Sequence, residues 1–272
     1  MVGQILNSQR LVQLAAFHPN LKNLWYLVAA TTFSVCNEPQ ELKKLYHFAM
    51  LNDTTPGDSL KSAHKTIELF ESGFDEVEEL INNRYAQPTL SQRRMTQKFR
   101  EALLKSSALA GIPKAINGLQ ALKLVTPNSL KPVTEDIDAN SDRLLVGTMR
   151  PTGSSIEQGN KHGIAHWNMI YNKVSNKVVN NLNSSYPDLW QYILCNVYGP
   201  LLSFDEILDA QETSLVVIAS LVPQDLNLQL WGHLKGALNV GCDQETVSAA
   251  ENLSIVIAQW CEVKWKADVV KL

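Results

Sequence analysis

The chain has 272 residues, 45% of them hydrophobic and 19% charged, with a net charge of −3. That length buries one large core or two small ones. The mild negative balance gives no electrostatic footprint for nucleic acid or for an anionic membrane surface, and no apolar run approaches the ~20 residues that span a bilayer, so neither is expected as a partner. The start, MVGQILNSQR, lacks a charged segment leading into a long apolar block and does not read as a secretory signal. Cys36, Cys195, Cys242 and Cys261 show no Cys-x-x-Cys or zinc-finger spacing. They read as reduced structural thiols in a reducing intracellular compartment.

Helical periodicity dominates. Asn7 or Ser8 can cap a first helix carrying Leu11, Leu14 and Ala15 on one face. LWYLVAATTFSVC (24–36) is nearly all apolar and too long for a typical strand, which predicts a buried helix. Glu38-Pro39 opens an amphipathic stretch with Leu42, Leu45 and Ala49 toward the core. Residues 59–86 form a charged, surface-type stretch, two helices broken near Gly73. Residues 92–122 form a long helical pattern interrupted at Gly111-Ile-Pro113.

From Val125 to about Lys161 the chain is rich in Pro, Asn, Ser, Gly and Asp, with little to bury, and reads as a linker or loop. The expected division is 1–123, a first helical half; 124–161, the linker; and 162–272, a second helical half. Within the latter, Ser185 is placed as a cap with Pro187 in the first turn, and Gly199-Pro200 as the stop. FDEILDAQETSLVVIASLV (204–222), LNLQLWGHLKGALNVG (226–241) and residues 244–265 complete the helices. LVAATTFSVC with ELKKLYHFAM resembles SLVVIASLVP with LQLWGHLKGAL, and REALLKSSALAG resembles SAAENLSIVIAQ, so two copies of one helical unit are expected to bury their apolar faces against each other.

GHLKGALNVGCDQETV (232–247) resembles the core of the carboxymuconolactone decarboxylase family, also called alkylhydroperoxidase D-like. There a helix bearing a His precedes "AlnnG", a turn, and a helix starting "t-x-E"; the matching residues are His233, Ala237-Leu-Asn239, Gly241 and Glu245. The resemblance covers most of 24–122 and 162–265, with only GHLKGALNVG locally specific. It implies an all-α fold of two repeated helical units packed together, self-association into a homo-oligomer, and chemistry on a small organic acid or lactone. The chain also resembles fungal peroxisomal matrix members of that family.

Departures from the pattern matter equally. Redox members carry Cys-x-x-Cys-x-x-x-His; here the two cysteine positions hold Leu226 and Gln229, neither able to exchange disulfides. A thiol peroxidase of that type is therefore not expected. The family's proton-relay glutamate position holds Ser214, with Glu212 two residues earlier and elsewhere on the helix. In the first repeat the His position falls at Leu45.

Two readings of His233 stay open. A partly buried imidazole can donate or take a proton, with Gly232 and Gly236 making room for a ligand; or it is a packing histidine whose glycines admit a neighbouring helix. Glu212, Ser214 and Lys235 are the candidate helpers, each with a reading as a capping or solvated residue. His162 and His166 sit at metal-compatible i, i+4 spacing, but no third ligand is evident and Gly163 weakens a helix there, so no metal is expected. His47 and His64 read as surface or half-buried, and Trp167, Trp190, Trp231 and Trp260 as core. Phosphate loops are absent, and no cofactor is expected. Cys242, near a helix start, is a third option for peroxide chemistry, opposed by Asp243 and Glu245.

The end, Val270-Lys271-Leu272, has the shape of the peroxisomal address, with Val an imperfect first residue. The expected location is the peroxisomal matrix through an import receptor, with cytoplasm or mitochondrion as alternatives. The functional alternative is a non-catalytic binding or assembly protein that kept the scaffold and lost its thiols.

Overall fold

The structure, a computed structural model, describes residues 4–54, 57–71, 74–134, 136–137, 140, 145, 147–150 and 156–272. Among them the regular structure is helical throughout. The helices are α1 (Ser8–Ala15), α2 (Trp25–Val35), α3 (Glu41–Thr54), α4 (Ser59–Glu71), α5 (Phe74–Arg84), α6 (Leu90–Ala110) and α7 (Ile112–Val125) in the first half. In the second they are α8 (Ile156–Tyr171), α9 (Ser175–Ser185), α10 (Pro187–Tyr192), a π-helical segment (Ile193–Leu202), α11 (Ala210–Leu221), α12 (Asn227–Asn239) and α13 (Gln244–Trp260).

Asn7 caps α1 by accepting from the Arg10 amide at 2.9 Å. Thr89 and Gln92 form a reciprocal capping box on α6. Gly111, at φ 96°, separates α6 from α7, and Pro113 falls in the first turn of α7. Every residue of α2 is buried, as its nearly all-apolar character requires, and α11 is buried from Glu212 to Leu221. These two helices form the centre. Both pack on α6 and on α13, and on each other; α3 and α12 flank them. The two halves share one core, in which Leu27 and Phe33 join Phe99, Leu215, Ile218 and Leu253. The Thr32 and Ser254 hydroxyls, 2.9 Å apart, bridge α2 to α13 inside it.

Several boundaries differ from the sequence reading. Tyr186, not Ser185, occupies the cap position before Pro187. Gly199-Pro200 does not stop the helix. The wider π turn carries the chain to Leu202, with the Ser203 amide donating to Tyr198 O at 3.0 Å and the Ser203 hydroxyl to Gly199 O at 2.7 Å. Residues 204–208 are not helical, because Asp209 and Glu212 form a capping box that starts α11 at Ala210. Just before it, the buried Lys105 ammonium donates to Phe204 O at 2.7 Å, Leu202 O at 3.2 Å and the Thr213 hydroxyl at 2.7 Å.

Helix α8 begins at Ile156, six positions before the expected second half, with Glu157 and Lys161 pairing at i, i+4. Gly163 lies inside it rather than breaking it. Its missing side chain lets the π segment approach, since a Cβ there would stand 2.7 Å from the Gly199 nitrogen. The expected linker reaches α6 through Leu130 and Arg150: Leu130 is buried, Arg100 donates to its carbonyl at 2.7 Å, and Arg150 pairs with Glu101. Residues 135, 138–139, 141–144, 146 and 151–155 of that stretch lie outside the described residues.

Candidate functional site

Helix α12 crosses α8 through Gly236, whose Cβ would stand 2.5 Å from Ile170 Cγ2; at Gly232, one turn earlier, a Cβ would meet nothing within 4 Å. The two glycines thus divide the roles left open above, one admitting a helix and the other facing space. Asn239 fixes the crossing by donating to Ile170 O at 2.7 Å. His233, between these glycines, lines a cavity of about 990 Å³. Helix α8 contributes Trp167 and Tyr171, the π segment Val197 and Tyr198, and α9 and α10 Val178 and Tyr192 to its wall. Leu109, at the end of α6, closes it from the first half.

The wall is mainly aromatic and aliphatic, with a few polar groups converging. The Tyr171 and Tyr198 hydroxyls lie 3.4 Å apart. Tyr171 meets the His233 ring edge-on at 6.0 Å between centroids and lies tilted against Trp167 at 4.1 Å. Trp167 in turn meets Tyr198 and Trp190, each at 4.8 Å. Behind Tyr198 lies buried His166, 6.1 Å between ring centroids. The His166 Nε2 and the Trp167 indole N–H are buried with no hydrogen-bond partner among the described residues.

These groups are uncharged near neutral pH. Burial, reinforced by His166, lowers His233 to about 4, and burial with the Lys105 charge lowers His166 to about 4. Burial raises both Tyr171 and Tyr198. The cavity therefore presents neutral imidazole and phenol, able to accept or donate a hydrogen bond to a carbonyl or hydroxyl. Lysines stand only at its edge: Lys173, and Lys235 with its ammonium 4.6 Å from the Trp231 ring centroid.

Of the residues singled out in the sequence, His233 and Lys235 reach this cavity and Gln229 lines it. Glu212 does not: it caps α11 with Asp209 and pairs with Lys98. Ser214 turns its hydroxyl back to Ala210 O at 2.9 Å. Cys242 is buried, and burial with Asp209 and Asp243 pushes its thiol up to about 12, which removes the thiolate that peroxide chemistry needs. His162 and His166 both lie on α8, and among the described residues no group of three metal-ligating side chains forms. His47, read as surface or half-buried, is 4% exposed, wedged edge-on between Phe70 and Tyr85. Trp167 lines the cavity rather than serving core packing alone, and Trp231 is 42% exposed at its rim. Sequence reasoning missed Tyr171 and Tyr198, whose only signal was a phenol on an otherwise apolar helical face.

Val270, Lys271 and Leu272 are folded against the body. The Val270 amide donates to Asn227 Oδ1 at 3.0 Å and Lys271 Nζ to Asn252 Oδ1 at 3.2 Å, while Leu272 packs on the core.

Fold and cavity together define an all-helical protein with an aromatic-lined pocket that holds a neutral histidine. The chain is 58% identical to Peroxisomal protein 2 of Saccharomyces cerevisiae over the full length of both chains. It is 39% identical to Peroxisomal protein 2 of Schizosaccharomyces pombe, across 64% of this chain and 75% of that protein. The chain belongs to the Peroxisomal protein 2 family, and its location is peroxisomal. No described helix is long and apolar enough to cross a membrane. No family model matches the chain, and no solved structure matches it.

Proposed function

We propose that the chain is a carboxymuconolactone decarboxylase-like protein of the peroxisomal matrix, whose His233 cavity binds a small organic acid or lactone and moves a proton on it. The cavity carries this reading: a neutral imidazole and the paired phenols of Tyr171 and Tyr198 open onto one apolar space of about 990 Å³. The neutral His233 ring accepts a proton, and the phenols hydrogen-bond the carbonyl oxygen on which charge develops. The packing of α2 and α11 on each other and on both α6 and α13 supports a two-unit scaffold of this type. The test incubates the purified protein with γ-lactones bearing a carboxylate and follows ring opening and carbon dioxide release. A loss of about 10²-fold or more in His233→Ala is expected; turnover unchanged in that variant sinks the assignment.

The second reading, a non-catalytic binding module, is favoured by a cavity lining without a carboxylate among the described residues, Glu212 and Ser214 standing outside it. It predicts ligand uptake without turnover, lost when Tyr171 and His233 are replaced. On both readings the exposed apolar rim of Leu189, Tyr192, Leu228 and Trp231 is the face a second copy covers, and the Val-Lys-Leu terminus is what an import receptor takes.

A further inference from the structure

A second cavity, of about 570 Å³, runs along α6. Arg93, Thr96, Gln97, Arg100, Glu101 and Leu104 line it from α6, a set spaced at three, four, seven, eight and eleven positions and hence on one helical face. Leu119 of α7 and Ile207 add apolar wall. The strands of chain at 131–133 and 147–150 form its outer side, drawn together where a Cβ on Gly147 would stand 2.9 Å from Val133 O.

Its charges do not balance. Glu101 is the one carboxylate among the lining residues, 3% exposed at its side chain, and Arg150 already claims both its oxygens at 2.6 and 3.3 Å. Lys131 is held by Glu78 at 3.6 Å and Asn128 at 2.6 Å. Arg93 and Arg100 remain, without a carboxylate among the described residues. Arg100 is half-buried and spends one donor on Leu130 O at 2.7 Å. Burial lowers its pKa, the direction a guanidinium takes when desolvation is not offset by an acid. A half-buried cation facing a cavity without its counter-charge is costly to the fold and is offset by an anion that enters. Guanidinium groups suit phosphate oxygens in particular, offering paired donors in a planar fork.

We propose that this cavity binds a phosphorylated small molecule of nucleotide size, its phosphate or diphosphate between Arg93 and Arg100 and its organic body against Leu104, Leu119 and Met149. This site is separate from the His233 cavity and does not depend on what that cavity does.

The test is calorimetry on the full-length protein with ADP, pyrophosphate and adenosine as probes. ADP is expected to bind more tightly than either of the others. Its affinity should fall about tenfold or more in Arg100→Gln and in Arg93→Gln, and weaken as salt is raised. Arg93 is exposed, so its variant keeps the test open should Arg100→Gln fail to fold. His233→Ala should bind ADP as the native chain does. Failure of ADP to bind, adenosine binding as well as ADP, or ADP affinity unmoved by Arg93→Gln overturns the site. Pyrophosphate as tight as ADP overturns the role of the apolar wall, and loss of ADP binding in His233→Ala overturns its placement.

Discussion

Gly163 of α8 and Gly199 of the π-helical segment pass so closely that neither tolerates a side chain: a Cβ on Gly163 would meet Gly199 backbone at 2.7 and 2.9 Å, and one on Gly199 would meet Gly159 O at 3.0 Å. This crossing sets the distance between Tyr171 and Tyr198, which extend from the same two elements. Because the obstruction is backbone, it cannot be relieved by turning a rotamer. Gly163→Ala is expected to destabilise the chain by about 1–3 kcal/mol, read as a lower urea midpoint, while Gly159→Ala, which meets nothing within 4 Å, leaves it within about 0.5 kcal/mol. Equal midpoints for the two variants would contradict the crossing.

Acid should unfold the protein through its buried imidazoles. His47 is lowered to about 3, and His166 and His233 to about 4, all below the ordinary value near 6.5. The unfolded chain therefore binds more protons as pH falls from about 6.5 to 4, and stability drops across that window, by on the order of a few kcal/mol per residue. Denaturant titrations at pH 7, 5.5 and 4.5 measure it; His47→Phe should flatten the decline.

Glu251 acts in the opposite sense. It is 1% exposed with Oε1 unpartnered, and burial raises it to about 7. The folded chain holds this proton more tightly than the unfolded one, so the stability it contributes is present below the ordinary carboxylate range and is lost as pH rises through 7. Glu251→Gln is expected to stabilise by roughly 1–3 kcal/mol at pH 8 and to have little effect at pH 4.5. A gain that does not depend on pH would show that packing, not charge, is responsible.

The terminal residues can be separated from the fold. A fluorescent reporter placed ahead of residues 261–272 should collect in peroxisomes if Val270, Lys271 and Leu272 act as an address. Diffuse cytosolic signal would end that assignment. In the intact chain, Asn227→Ala removes the side chain that bonds both Val270 N and Asp268 O and should raise proteolytic sensitivity at the C-terminus before any global loss of stability.

Self-association is tested by light scattering with gel filtration. A species larger than one chain is expected, reduced by Trp231→Lys and Leu228→Lys, since both side chains are exposed at the rim, 42% and 86%. A monomer at every concentration would remove the second-copy proposal.

Much of the helical order was legible because burial leaves a periodic trace. The continuous apolar run of α2 and the break at Gly111 needed nothing beyond the chain, and the motif around His233 led to the cavity. What was not legible depended on contacts between distant elements. Gly163 reads locally as a helix weakener, and only Gly199 explains it. Tyr171 and Tyr198 are ordinary amphipathic side chains until the α8 crossing brings their hydroxyls to 3.4 Å. Glu212 stood open between a helper to His233 and a capping residue, and its capping box and Lys98 are set by where α11 begins and by α6.

The sharing of one core between the two halves has a consequence for synthesis. Helix α2, buried along its whole length, finds α11 and α13 only after nearly all of the chain has been made. Until then this helix is covered only by α1, α3, α6 and α7, and the contacts that finish the core are long in sequence, which slows folding. The nascent first half is thus an aggregation hazard, and a chain cut between the halves should yield two insoluble fragments that become soluble only when made together.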